Sequence, residues 1–300
     1  MYSIESNWGD RGRKKYYVQV FIRLNKNSRG VARLPIITHL FTEDIKRPAL
    51  VLVHGLGSAG TIWKSLIPKL TDHFSVIAVD LPGHGIAELH EGESVDPKSL
   101  AHAIVETVSQ THDISQMHVA GNSLGGWIAL EMGAVAPDKV KSVTALAPAG
   151  LWHHVPTSKL PPSFFDARLL AKVSQHFMKL AYNLPVLKAI GYKKITHLWR
   201  ELSFESCRDS VLAMANSKGY LPLWRGLRGR KFESNIPENV NVSIVFGDYD
   251  LTLPEEIAQE KNVAPKHSNW VVVDNCAHVI MWNYPDLTVD FIKRTARVAG

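Results

Sequence analysis

Short apolar runs recur along this chain, and most of the stretches that separate them carry helical periodicity. Residues 49–53 (Ala-Leu-Val-Leu-Val) contain no polar side chain. Residues 75–79, 117–120, 140–146, 242–246 and 270–273 follow the same theme. A strand with one wet face alternates apolar and polar residues, so runs of this kind fit strands covered on both faces. Between them, residues 61–70, 98–111, 124–135, 255–262 and 285–297 read as helices. Parallel strands need a crossover and a helix is the usual one, so this alternation predicts a mostly parallel central sheet with helices on both faces. Upstream, residues 16–24 and 33–41 read as two further strands joined by the polar turn 25–30.

One long interruption breaks the alternation. Leu169, Leu170, Val173, Phe177, Leu180 and Leu184 recur at three- and four-residue steps, which predicts an amphipathic helix that Pro185 stops. Leu198, Leu202, Val211 and Leu212 predict more helix. The expected division is a core of residues 1–150 and 236–300 carrying an inserted helical cap, residues 151–235. A chain of 300 residues, 45% of them hydrophobic, buries a sizeable core without covalent staples. Cys207 and Cys276 are far apart and lack metal-ligand spacing, so they read as buried thiols in a reducing compartment. No apolar segment reaches the roughly 18 residues that span a bilayer. No apolar stretch of the secretory kind follows the basic cluster Arg11, Arg13, Lys14 and Lys15. The expected location is the cytoplasm.

The net charge of +6 is uneven. Arg11, Arg13, Lys14, Lys15, Arg23, Lys26, Arg29 and Arg33 lie in a segment without an acidic residue, and a second basic region runs from Lys188 to Lys231. Solvated basic faces account for both, and such fields also favour peripheral contact with an anionic membrane or an acyl thioester on a phosphorylated carrier. No nucleic-acid motif accompanies the charge, so nucleic acid is not an expected partner.

The segment with the most chemistry is Gly121-Asn122-Ser123-Leu124-Gly125-Gly126, between a strand and a helix. On a sharp strand-to-helix turn a serine hydroxyl projects above the sheet, and the glycines two before and two after let the chain pass close to itself. The N–H groups that open the helix also favour developing negative charge. His54-Gly55-Leu56-Gly57 directly follows the strand 49–53. It offers a second N–H, that of Leu56, to complement Leu124 in holding an oxyanion. His54 precedes the serine and reads as a structural loop residue. Asp248 and Asp250 follow the strand 242–246, and His278 follows the strand 270–273. An imidazole there can take the serine proton, and a carboxylate can fix its tautomer. Asp250 is preferred over Asp248.

With Asp80-Leu81-Pro82-Gly83-His84-Gly85 and Tyr284-Pro285-Asp286 added, these segments resemble the α/β-hydrolase superfamily, in particular its capped, esterase-type serine hydrolases. The resemblance spans residues 50–290. It implies Ser123, Asp250 and His278 as catalytic triad and a carboxylic ester of a small or acyl-chain substrate, with no cofactor or metal. It assigns His84 no catalytic role. Relatives that use aspartate as nucleophile are disfavoured by Ser123, and Val279 stands where ring-cleavage hydrolases carry tryptophan. Thioester, lactone and carbon–carbon bond hydrolysis remain as alternatives on the same triad, and a ligand sensor without catalysis is a further one. Trp152, Phe165, Phe177 and Trp224 are the candidate substrate-pocket residues. Phe164, Met178, Tyr182 and Trp199 add to an apolar inner side of the cap. His153 and His154 read as loop residues rather than zinc ligands.

Overall fold

The computed structural model describes residues 2–5, 18–22, 34–42, 46–90, 92, 94–156 and 162–297, with the backbone alone for 2–5, 18–22 and 162–165. The basic cluster Arg11 to Lys15 and the turn 25–30 lie outside the described residues. The strands are β1 (Tyr2–Glu5), β2 (Val18–Ile22), β3 (Ile37–Phe41), β4 (Ala49–Val53), β5 (Ser75–Asp80), β6 (Met117–Asn122), β7 (Val140–Leu146), β8 (Asn241–Gly247) and β9 (Asn269–Val273). They form one nine-stranded sheet in the order 1-2-3-5-4-6-7-8-9. The steps from β1 through β2 and β3 to β5 are antiparallel. From β5 through β4, β6, β7 and β8 to β9 every step is parallel.

The helices are α1 (Ile67–Leu70), α2 (Pro97–His112), α3 (Leu124–Val135), α4 (Pro162–Ser174), α5 (Met178–Asn183), α6 (Pro185–Tyr192), α7 (Phe204–Asn216), α8 (Tyr220–Leu227), α9 (Glu255–Ala258), α10 (Ile280–Asn283) and α11 (Pro285–Ala296). α2 begins where Asp96 accepts the N–H groups of Lys98 and Ser99, both at 3.1 Å, and Pro97 occupies a first-turn position that needs no donor. It ends at Asp113, in the left-handed region with φ 53°. The five residues of β4 are all buried, as the unbroken apolar run requires.

Several local expectations need correction. The helix expected over 61–70 is a 3₁₀ turn, Gly60–Trp63, followed by α1. The helix expected over 255–262 is α9 followed by the 3₁₀ turn Lys261–Val263. Among the described residues β9 is an edge strand, and its apolar run is not covered on both faces: Val272 is about half exposed. The amphipathic helix expected to reach residue 184 is interrupted after Ser174 and resumes as α5. Pro185 then opens α6 rather than closing the helical stretch, because a first-turn position has no N–H to lose. Leu198 and Leu202 fall outside helices, while Val211 and Leu212 lie in α7.

The loop after β5 is tied down by one buried carboxylate. Asp80 accepts from the N–H of Gly60 at 2.7 Å, from the N–H of Ile86 at 3.2 Å and from His39 Nε2 at 2.9 Å. Burial alone would raise its pKa, but the His39 hydrogen bond and the Gly60 N–H outweigh that and hold it below the usual carboxylate range. A Cβ on Gly85, which has φ +55°, would collide with this carboxylate, so the loop closes only with glycine there.

Asp80→Ala leaves buried donors unmatched and is expected to lower the unfolding free energy in urea by about 3–5 kcal/mol. In the wild type this contribution is complete above about pH 4 and is lost as pH falls through the lower folded value of Asp80. The variant's acid limb, measured by denaturation at stepped pH, should be correspondingly flatter.

Candidate active site

Ser123 stands between the last residue of β6 and the first of α3, with φ 59° and ψ −120°. A non-glycine residue rarely adopts this conformation, and it costs about 1–3 kcal/mol. The surroundings enforce it. The Ser123 N–H donates to Leu146 O at 3.0 Å, and the Ser123 carbonyl accepts from Trp127 N at 3.2 Å and from Ala149 N at 3.0 Å. A Cβ on Gly121 would strike the backbone of Gly125, and one on Gly125 would strike the carbonyls of Val53 and His54. Both glycines are therefore required by close approach of backbone to backbone. A Cβ on Gly55 would sit 3.1 Å from Ser123 Cβ, which sets the loop after β4 directly beside the serine.

The loops after β8 and β9 bring the other two groups together. His278 Nδ1 donates to Asp250 Oδ2 at 2.7 Å, and both side chains are buried. Asp250 Oδ1 accepts the N–H groups of Thr252 at 2.9 Å and Leu253 at 2.8 Å. Burial would push the Asp250 pKa up; the charge and hydrogen bond of His278, with the Leu253 and Thr252 N–H groups, hold it below the usual range instead. Asp248 has a different task, accepting from Cys276 N at 3.0 Å and so binding the two loops to each other. Gly247 tightens the same contact, since a Cβ there would meet the Cys276 carbonyl.

Asn122 links the serine's strand to the histidine's loop. Its Nδ2 donates to Leu146 O at 3.1 Å and to His278 O at 3.2 Å. Among the described residues no hydrogen bond joins Ser123 Oγ to the imidazole, an arrangement common before substrate binds. With Nδ1 turned to Asp250, Nε2 is the ring nitrogen left for exchange with a hydroxyl. Leu124 is the first residue of α3, so its N–H has no partner within the helix, and the N–H of Leu56 lies in the loop whose Gly55 flanks Ser123.

The two other histidines nearby are structural. His54 Nδ1 donates to Gly55 O at 2.7 Å, and its Nε2 accepts from Leu81 N at 3.1 Å. His84 Nδ1 donates to Pro82 O at 3.0 Å, and its Nε2 accepts from Gly57 N at 3.1 Å. Each ring is a neutral bridge between loops. Burial, followed by the neighbouring His54, pushes His84 down to about 3, and burial also lowers His54.

The helices between β7 and β8 touch this site at points the sequence did not flag. A Cβ on Gly57 would meet Met214 and Tyr220, so α7 and α8 cover the loop after β4. Gly219 N donates to Gly83 O at 3.0 Å. Ile195 O accepts from Val279 N at 2.9 Å, and Asn283 Oδ1 accepts from Thr196 Oγ1 and His197 N, both at 2.9 Å. No local pattern marks these residues, because each contact joins loops remote in sequence; only Asn122 had a signal, its place beside the serine.

The pocket candidates scatter. Trp152 is buried in the core, donates from its indole to Arg230 O at 3.1 Å and meets Trp127 edge-on at 6.4 Å. Trp224 is half-buried against the same core. Phe177 is 60% exposed, and the side chain of Phe165 lies outside the described residues. A cavity of about 80 Å³ is lined by Arg168, Leu169, Lys172, Tyr220 and Leu221. A larger one, of about 300 Å³, opens near Val135 and Lys139, beyond the end of α3 opposite Ser123. His153 is an exposed loop histidine, as expected, and pairs with Glu260 at 2.9 Å. Cys207 and Cys276 are buried free thiols, as expected.

The model of the alpha/beta hydrolase fold family matches residues 48–285. The chain belongs to that family, among hydrolases of the esterase and lipase kind. A pimeloyl-[acyl-carrier protein] methyl ester esterase of Methylococcus capsulatus is 41% identical over 108 residues, 36% of this chain and 40% of that protein. The protein of that name from Yersinia enterocolitica is 24% identical over 253 residues, 82% of this chain and 93% of its own. Among solved structures, a membrane phospholipase A described as a bacterial virulence factor superimposes with TM-score 0.69 at 23% identity, covering 94% of this chain and 87% of that one. Naproxen esterase of Bacillus subtilis gives 0.66 at 17% identity, covering 93% and 91%. The two structures share the fold with this chain.

Asn122→Ala removes the donors to Leu146 and His278. We expect kcat toward a chromogenic ester to fall by about tenfold, with KM nearly unchanged, because positioning rather than binding is lost.

Proposed function

We propose that the protein is a serine hydrolase that cleaves carboxylic esters, with Ser123 as nucleophile, His278 as general base and then acid, and Asp250 as its orienting partner. The observation that supports this most is the 2.7 Å bond from His278 Nδ1 to Asp250 Oδ2, in a loop whose backbone is tied by Asn122 to the strand that ends just before Ser123. It leaves Nε2 as the ring nitrogen free to accept the hydroxyl proton once substrate brings the two groups together.

In this reading Ser123 Oγ attacks the ester carbonyl carbon while His278 Nε2 takes its proton. The tetrahedral oxyanion is held by the N–H groups of Leu56 and Leu124. Collapse expels the alcohol, which leaves with the proton from His278, and the acyl group stays on Ser123. Water, deprotonated by the same imidazole, attacks the acyl-enzyme; the acid departs and the proton returns to Ser123. All bonds are made and broken by groups of this chain, the ester and water. Asp250 stays ionised throughout and stabilises the imidazolium.

Residues 151–235 act as a cap over this centre, on a core of residues 1–150 and 236–300. The contacts of Met214 and Tyr220 with Gly57 support that division. Relatives named as methyl ester esterases make small alkyl esters of longer acyl chains the first substrate class to try.

Ser123→Ala should lower turnover of p-nitrophenyl acyl esters by about 10⁴ to 10⁶ and abolish labelling by a fluorophosphonate probe. Wild-type rates in that variant would rule the assignment out. A wild type that is neither labelled by the probe nor active on any ester would favour a ligand-sensing relative instead.

A further inference from the structure

The periodicity of residues 169–184 predicts an apolar face turned inward, but the structure turns it outward. On α4, Leu169 is 54% exposed and Val173 55%. Leu180 on α5 is 57% exposed, and on α6 Val186 is 71% and Ile190 60% exposed. Monomeric proteins rarely leave so many large apolar side chains in water without a use for them.

The opposite side of α6 is occupied, so its outward orientation is fixed. Lys188 is buried and donates to Arg200 O and Leu202 O, both at 2.9 Å, with its ammonium 4.3 Å from the Tyr182 ring centroid. Tyr192 donates to Cys207 O at 3.0 Å. These bonds hold α6 against the start of α7 and present Val186 and Ile190 to solvent.

We propose that α4–α6 is an interfacial surface that seats the protein on an anionic phospholipid bilayer. Charge selects this occupant. From the start of α4 to residue 200 the chain contains Arg168, Lys172, Lys179, Lys188, Lys193, Lys194 and Arg200 against a single acidic residue, the exposed Asp166. Lys172, Lys179, Lys193 and Lys194 are exposed. Apolar side chains bordered by exposed cations are the composition of a segment that lies in the plane of a membrane, its apolar face among acyl chains and its cations at the phosphates. A second copy of this chain fits less well, because a two-fold pair would set the same cations against each other. An acidic protein would satisfy the lysines but not the breadth of apolar exposure.

The surface is placed usefully. Tyr249 and Leu251, on either side of Asp250, are 52% and 63% exposed. His197, shortly after α6, meets the Tyr249 ring edge-on at 4.9 Å. The segment that follows α6 thus adjoins the loop after β8 that carries Asp250. This adds a partner to the esterase reading and does not depend on it.

The test uses the full chain carrying Ser123→Ala, so that lipid turnover cannot change the vesicles or the outcome. Sedimentation with phosphatidylcholine vesicles, with and without phosphatidylglycerol, should show binding that needs the anionic lipid and weakens with salt. Val186→Asp with Ile190→Asp should cut partitioning by about tenfold or more, and Lys193→Glu with Lys194→Glu should remove the preference for phosphatidylglycerol. An unchanged melting temperature, and unchanged hydrolysis of a soluble ester in the wild-type background, show that these variants are folded. Equal recovery in the supernatant with both vesicle types overturns the proposal. So does vesicle binding that the Val186→Asp, Ile190→Asp pair leaves intact, or a lipid-free dimer that the same pair dissolves.

Discussion

The carbonyls of Val53 and His54 lie so close to Gly125 that no side chain fits between them, and this contact joins the end of β4 to the first turn of α3. The loop carrying Leu56 and the turn carrying Ser123 are thereby packed backbone against backbone. The second contact, Gly121 against Gly125, bends the chain sharply enough to hold Ser123 at φ 59°. That conformation is unfavourable in isolation, and it persists because the sheet on one side and α3 on the other over-determine it. Relative placement of two N–H groups and one hydroxyl is thus a consequence of missing Cβ atoms.

The loops at the other end of the proposed triad are held by a different principle. There the backbone donors and acceptors are bound by side chains: the exposed Asp248 takes Cys276 N, while the buried Asn283 takes His197 N and the buried Asn122 spans Leu146 O and His278 O. Buried polar groups that are fully matched specify one arrangement, since any alternative leaves a donor or acceptor unpaired at a cost of about 1–3 kcal/mol. The same rule explains the paired histidines. His54 and His84, kept neutral by burial, each donate through one nitrogen and accept through the other, so each spans two loops with no charge to solvate.

Most of the parallel sheet was legible in the sequence because strands buried on both faces are predominantly apolar, with only small hydroxyl side chains such as Ser142 and Thr144 buried among them; the runs 49–53 and 140–146 match β4 and β7 residue for residue. The serine turn was legible because its glycines are forced by sterics, and the proposed acid and base because chain order follows strand order. What was illegible has a common physical origin. Trp270 and the three valines after it do not say whether a neighbour follows, and β9 is an edge among the described residues. Proline at 185 is compatible with either terminus of a helix, and it opens α6. Met214, Tyr220 and Asn283 act through contacts across the fold, for which no local pattern exists.

Periodicity identifies a face but carries no sign. A stripe of Leu, Val and Ile at helical spacing turns inward when a core lies beneath it and outward when its polar side has better partners. In α6 that polar side includes Lys188 and Tyr192, whose long side chains reach carbonyls of residues 200, 202 and 207. Once those bonds form, the helix has one rotation available, and Val186 and Ile190 must face out. The cost of exposing them to water is the physical reason to look for an apolar phase on that side. The cations along residues 167–200 then decide which kind, because a lysine gains from a phosphate surface what it would lose against another copy of itself.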